Sequence, residues 1–175
     1  MLDELKTRMR GEYTADNVQE LECMETLFRL KRFNSGDALR LGNQIVLETK
    51  KRGGNLIVRI IRTEDNVSVF QYVDDNTNQR NIDFAMMKGN TVRATGHCSL
   101  WALVKELTGG GVSSVFYEGS NCLPVGGAFP VYVGDRLAAI IMTSGLHDGL
   151  DHLVIVEAMC SVQNAKVPAF TAKLV

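Results

Sequence analysis

The sequence lacks a dominant charge. Nineteen Lys and Arg stand against 20 Asp and Glu, a formal net charge of -1 over 175 residues, with no block of like sign. That excludes the electrostatic footprint of a duplex nucleic-acid binder, whose affinity comes largely from phosphate neutralisation. Long apolar runs are missing as well. The longest, residues 137–142, suits a buried strand and falls far short of the roughly 18 residues of a membrane span. Neither nucleic acid nor membrane is therefore expected as a partner. Residues 1–6 carry Asp3, Glu4 and Lys6 and hold no apolar core of a signal peptide, which predicts a cytoplasmic protein. Cys23, Cys98, Cys122 and Cys160 are scattered, without a CxxC or a Cys/His knuckle, and read as reduced thiols. No GxGxxG occurs, and no G-K-[ST] follows Gly126-Gly127, so the dinucleotide and P-loop signatures are both lacking.

What is present is an ordinary core composition, 45% apolar and 22% charged. A chain of this length buries about 70% of its unfolded surface and needs no cross-links. Without repeats, low-complexity tracts or a long linker, it reads as one domain over 1–175 with its core at about 16–163. Asp16, with Gln19 three residues on, predicts the start of a first helix carrying Leu21, Met24, Leu27 and Phe28. Ser35-Gly36-Asp37 opens a second, with Ala38, Leu41, Ile45 and Thr49 on one stripe. Lys50, Lys51 and Arg52 before Gly53-Gly54 close it. The β-branched runs 56–62 and 67–73, parted by a polar turn, predict a hairpin. Helices follow over 82–93 and 99–107, then a strand over 112–117. A second hairpin covers 130–133 and 136–143 around Gly134-Asp135, and a last helix covers 148–163. The tail, 164–175, has little pattern and is either loose or docked on a partner. The order ααββααβββα with short turns predicts an α+β fold built on an antiparallel sheet.

Polar residues gather at three junctions between these elements. Gly96-His97-Cys98-Ser99 sets imidazole, thiol and hydroxyl side by side between two helices. A nucleophilic Cys98 needs a depressed pKa, and neighbours in sequence such as His97 and Cys98 point apart. Ser99 is also a good N-cap. Residues 144–152 lie between the most apolar strand and the last helix, where free backbone N–H groups can receive an anion. There Asp148 reads as an N-cap, Asp151 as a favourable first-turn residue, and His152 shares a helix face with Asp148. Together with His147 they match no zinc signature, so no metal site is assigned. Asn81 and Asp83 precede Lys88 and either orient a ligand or close a turn, Asp83 also as an N-cap. Met86, Met87 and Trp101 suit packing.

Gly126-Gly127-Ala128-Phe129-Pro130, followed after a hairpin turn by residues 139–143 and Ser144-Gly145, resembles the GG-x-x-P and (A/G)-x-x-x-x-S-G pattern of GlcG/HbpS-like proteins, the haem-degrading-domain family. Residues 37–42, Asn81-Ile82-Asp83-Phe84 with Lys88, Gly96-His97-Cys98-Ser99, and Asp151-His152 are similar to an uncharacterised cytoplasmic branch of it. The likeness spans about 20–163. It departs at Phe84, where a Trp is usual, and in the basic cluster, reduced here to Lys88. The resemblance implies a profilin-like sheet flanked by helices, a homo-oligomer, and haem or another small ligand. The expected ligand-binding residues are Asn81, Asp83, Lys88, His97, Cys98, Ser99, Ser144, Gly145, Asp151 and His152, in one pocket built from the three junctions, with His97 as axial ligand if haem is bound. Two rival readings stand beside this one: a structural or interaction module without a ligand, and an enzyme using Cys98 or His97. A near-zero net charge places little repulsion between identical subunits.

Overall fold

The structure, a computed structural model, describes residues 11–112 and 121–174. Its centre is one antiparallel sheet made of β2 (Ile57–Arg62), β3 (Ser68–Val73), β4 (Ala128–Val133) and β5 (Arg136–Ser144), in the order β3-β2-β5-β4. Both expected hairpins form, and β2 joins them by pairing along β5, with Ile60 opposite Ile141. The side-chain period of two sorts the apolar residues by face. Val58, Ile60, Phe129, Val131, Ala139 and Ile141 point into the larger core. Ile57, Ile61, Ala128, Ile140 and Met142 point into a smaller one.

Helices α1 (Ala15–Leu27), α2 (Ser35–Lys51), α4 (Ser99–Leu107) and α5 (Asp148–Gln163) supply the larger core through Leu21, Met24, Leu41, Ile45, Leu103 and Ile155, among others. Helix α3 (Gln79–Thr95) lies against the opposite face, with Ala85 and Val92 in the smaller core. The result is the expected α+β fold, an antiparallel sheet flanked by helices. The strand expected over 112–117 lies, from position 113 on, outside the described residues.

Helix starts depart from expectation because the capping groups sit upstream of the residues expected to cap. Thr14 rather than Asp16 caps α1, in a reciprocal box with Asn17, whose Oδ1 accepts from Thr14 N at 2.8 Å. Asn34 caps α2 with Asp37 in the same manner. Asn78 starts α3 three residues early, with Asn81 Oδ1 accepting from Asn78 N at 3.1 Å; Asp83 is therefore inside the helix and accepts from Gln79 Nε2. Cys98 and His147 occupy the cap positions of α4 and α5, one residue before Ser99 and Asp148. In these three boxes a side-chain oxygen at the third helical position reaches back to the cap's own N–H and fixes the first turn.

The described tail docks on its own chain. Its β6 (Lys173–Leu174) pairs with β1 (Gly11–Glu12), Thr171 N donates to Glu20 Oε2 at 2.9 Å, and the Leu174 side chain lies over Gly149. Phe170 packs beside His152, at 5.9 Å between ring centroids, and Phe129 lies at the same distance on another side. His152 is wholly buried, and neither ring nitrogen has a hydrogen-bond partner among the described residues.

Burial pushes the His152 imidazole down to about 3 from an ordinary 6.5. Between those values the unfolded chain binds a proton that the folded chain refuses. This contribution to stability is therefore complete above pH 6.5 and is lost as pH falls towards 3. Urea titrations at stepped pH should show a loss of a few kcal/mol across that window, at about 1.4 kcal/mol per unit of pKa shift, and His152→Leu should flatten it. A second outcome concerns the loop entering β4. A Cβ at Gly126 would run into the Asp148 carbonyl oxygen in the first turn of α5. Gly126→Ala should lower the unfolding free energy by about 2 kcal/mol or more, read from the urea midpoint.

Candidate functional site

Lys88, on the sheet-facing side of α3, is 4% exposed and pairs with Asp151 of α5, itself 1% exposed, at 2.8 Å between Nζ and Oδ2. The same ammonium donates to the Thr143 carbonyl at 3.1 Å. Asp151 Oδ1 accepts from Leu146 N at 3.1 Å, so both carboxylate oxygens are occupied. Thr143 Oγ1 contacts the carbonyl oxygens of Gly127 and Asp151 at 3.1 and 3.0 Å. One polar knot thus ties together α3, the end of β5, the start of α5 and the loop before β4.

Two glycines make the knot possible. Gly127 has φ +125°, and a Cβ there would stand 2.7 Å from both Lys88 Nζ and the Thr143 carbonyl oxygen. Gly145 has φ +152°, with the Asn55 carbonyl oxygen and Leu56 Cα where a Cβ would go, so β5 can turn sharply beside the start of β2.

A cavity of about 140 Å³ opens at this junction, lined by Phe84, Leu123, Val125, Leu146, His147 and Asp148 as well as Lys88, Ser144 and Asp151. Ser144 is 4% exposed, and its hydroxyl makes no hydrogen bond among the described residues. Asp148 Oδ2 accepts from the Tyr13 hydroxyl at 2.6 Å; burial, then the carboxylate beside it, pushes the Tyr13 phenol far up. His147 Nδ1 accepts from Leu150 N at 3.4 Å as the α5 cap.

The Gly96–Ser99 junction is a separate place, past the C-terminal end of α3. From Lys88 to Thr95 alone the helix rises about 10 Å. Gly96 ends α3 in the left-handed conformation, φ +75°, which turns His97 towards α1. There His97 Nδ1 lies 2.7 Å from Glu25 Oε2, and the imidazole stacks on Trp101 with centroids 3.9 Å apart and planes at 16°. Trp101 Nε1 donates to Glu22 Oε1 at 2.9 Å, and Lys105 Nζ sits 5.6 Å from the indole centroid. Glu25 Oε1 accepts from Cys98 N at 2.7 Å. The Cys98 thiol is fully buried, and burial followed by the Glu25 charge pushes it well above the ordinary thiol range, so at neutral pH it is not a thiolate nucleophile. Ser99 Oγ accepts from Ala128 N at 2.9 Å, a bond that anchors α4 to β4.

Of the expected site residues, the structure therefore brings together Lys88, Ser144 and Asp151, with Gly145 behind them. Asn81 completes the capping box of α3 with Asn78, Asp83 is exposed on that helix, Ser99 holds a backbone hydrogen bond to β4, and His152 is packed among aromatic rings. The three junctions do not build one pocket: the residues around the Lys88 cavity include none of Gly96–Ser99. Sequence reasoning missed Glu25, an acidic residue on α1 that no motif marks. It also missed Thr143, whose only signal is its place before Ser144-Gly145. Among the described residues no group of three or more His, Cys, Asp or Glu could hold a metal ion, and no helix is long and apolar enough to cross a membrane.

Sequence and fold comparisons agree with this architecture. The chain is 30% identical over 149 residues to a UPF0303 protein of Burkholderia mallei, covering 83% of this chain and 88% of that one. Its fold matches the crystal structure of the Ybr137w protein with a TM-score of 0.73 at 25% identity, covering 84% and 87% of the two chains. It matches the PduOC:heme complex with a TM-score of 0.60 over 78% of this chain and 99% of the other; at 14% identity that likeness is one of fold alone. The family model described as haem degrading protein HbpS-like matches residues 33–160, a span that holds the whole four-stranded sheet, the Lys88–Asp151 pair and His97, and the chain belongs to that HbpS-like family.

Proposed function

We propose that this chain is a cytoplasmic, homo-oligomeric haem-binding protein with His97 as the axial ligand. The observation that carries the reading is the 2.7 Å contact between Glu25 and His97 Nδ1. In the Nδ1–H tautomer the carboxylate accepts a hydrogen bond from Nδ1 and leaves the Nε2 lone pair for a metal. Metal-bound histidines are oriented in this way by a carboxylate on the other ring nitrogen. Trp101 fixes the ring plane by stacking. Lys105, beside the same indole, supplies a cation suited to a haem propionate. About a third of the His97 side chain stays exposed (34%), so the ring is held without being sealed. His97 and Lys105 are the residues that would hold an iron porphyrin here, and haem would supply an iron centre for redox or ligand-exchange chemistry. The family description and the heme-bound fold relative support the same choice of ligand.

Self-association is supported by the outward face of α2 and the sheet edge it covers. Leu39 and Leu47 are 53% and 55% exposed, and the edge strand β3 carries no charged residue to discourage a partner.

Haemin titration followed by absorbance should give a shifted Soret band that saturates at a fixed ratio. His97→Ala should abolish it, and Glu25→Gln should weaken binding by about 10–100-fold while keeping the band position. An identical band in His97→Ala would rule out the axial assignment. In light scattering the chain should run as a defined oligomer, and Leu39→Glu combined with Leu47→Glu should shift it towards monomer.

A further inference from the structure

The Lys88 cavity is a different site from His97, with different chemistry. Its volume, about 140 Å³, is well below the roughly 300–1,000 Å³ of a drug-sized pocket, so it suits an occupant of only a few heavy atoms. Its polar groups are unequally satisfied. Both Asp151 oxygens are taken, by Lys88 and by Leu146 N. Lys88 spends two of its three N–H donors, on Asp151 and on the Thr143 carbonyl, and has no further partner among the described residues. Ser144 is 96% buried by its 4% exposure, lines the cavity, and spends its hydroxyl on nothing among the described residues. Two donors with capacity that no described protein group takes up thus border one space, where an acceptor on a ligand can meet both.

Charge narrows the class of ligand. Lys88 and Asp151 neutralise each other, and Asp148 adds a further carboxylate to the lining. An anionic ligand would meet that carboxylate, and an ammonium would meet Lys88, so a neutral acceptor is favoured. Phe84, Leu123, Val125 and Leu146 form an apolar wall for a short aliphatic body. We propose that this cavity binds a small neutral carbonyl compound, whose oxygen accepts hydrogen bonds from Ser144 Oγ and Lys88 Nζ while its alkyl part packs on Phe84 and Leu146.

The test uses the full chain without haem, so its outcome is independent of the His97 assignment. Methyl resonances of Leu123, Val125 and Leu146 are followed while 2-butanone is titrated in, with butyrate as the anionic counterpart. Saturable shifts confined to those methyls are expected. Ser144→Ala, which breaks no internal hydrogen bond, should raise the half-saturation concentration about tenfold, and butyrate should bind more weakly than butanone. Absence of saturable shifts, unchanged binding in Ser144→Ala, or tighter binding of butyrate would each overturn the proposal.

Discussion

The buried Lys88–Asp151 pair is the constraint around which the rest of the structure is arranged. Two charges taken out of water lose hydration worth several kcal/mol each, and their attraction offsets this only when every remaining donor and acceptor is placed well. The protein meets that condition with backbone groups, the Thr143 carbonyl for the ammonium and Leu146 N–H for the carboxylate. Replacing one member alone would leave an uncompensated charge, an effect on the order of 3–5 kcal/mol. What the pair gives the fold is register more than net stability. One residue of slip along α3 rotates Lys88 by about 100° and removes it from Asp151.

Several features otherwise unconnected follow from that pair. Gly127 has no side chain because Lys88 Nζ and the Thr143 carbonyl occupy the space a Cβ would need. Gly126 is bare because the first turn of α5, which carries Asp151, lies against it. The pattern GG-x-x-P is thus a packing requirement at the α5 start, and it does not serve as a phosphate loop. The same corner receives Tyr13 on Asp148 and Leu174 over Gly149, so both described ends of the chain close over the helix that holds the buried carboxylate. The small cavity with Ser144 on its wall is what this packing leaves unfilled.

Much of the fold was legible in the sequence because it rests on local rules. The stripe Ala38, Leu41, Ile45 on α2 and the two hairpins follow from side-chain periodicity and turn chemistry, and they form as expected. Cap positions were less legible, since Asp16 and Asp83 satisfy the composition rule while Thr14 and Asn78 satisfy the geometry with reciprocal partners. The site was legible residue by residue but not as an arrangement. Lys88 and Asp151 are 63 positions apart, and His97 and Glu25 are 72 apart; no periodicity links such pairs. The tail was illegible for a related reason. A two-residue strand and one Phe carry no pattern of their own, and they are ordered by what they cover.

His97 and His152 show why arrangement decides chemistry where residue type does not. Both are imidazoles in polar junctions, and the sequence offers either as a ligand. His152 is enclosed between Phe129 and Phe170 with no acceptor for its N–H, so ionisation is resisted and access is closed. Its ring contributes shape to the core at the cost of unsatisfied nitrogens. His97 receives a carboxylate on one nitrogen, an indole on its face and partial exposure. A carboxylate contact on Nδ1 does little for packing, since an apolar side chain would stack on Trp101 without it. Its effect is on orientation, since it holds one ring nitrogen against Glu25 and leaves the other uncommitted to that partner. The same Glu25 also holds the Cys98 backbone N–H, while burial first and the Glu25 charge second push the neighbouring thiol up, so the two side chains of one turn meet opposite conditions, one sealed and one partly exposed.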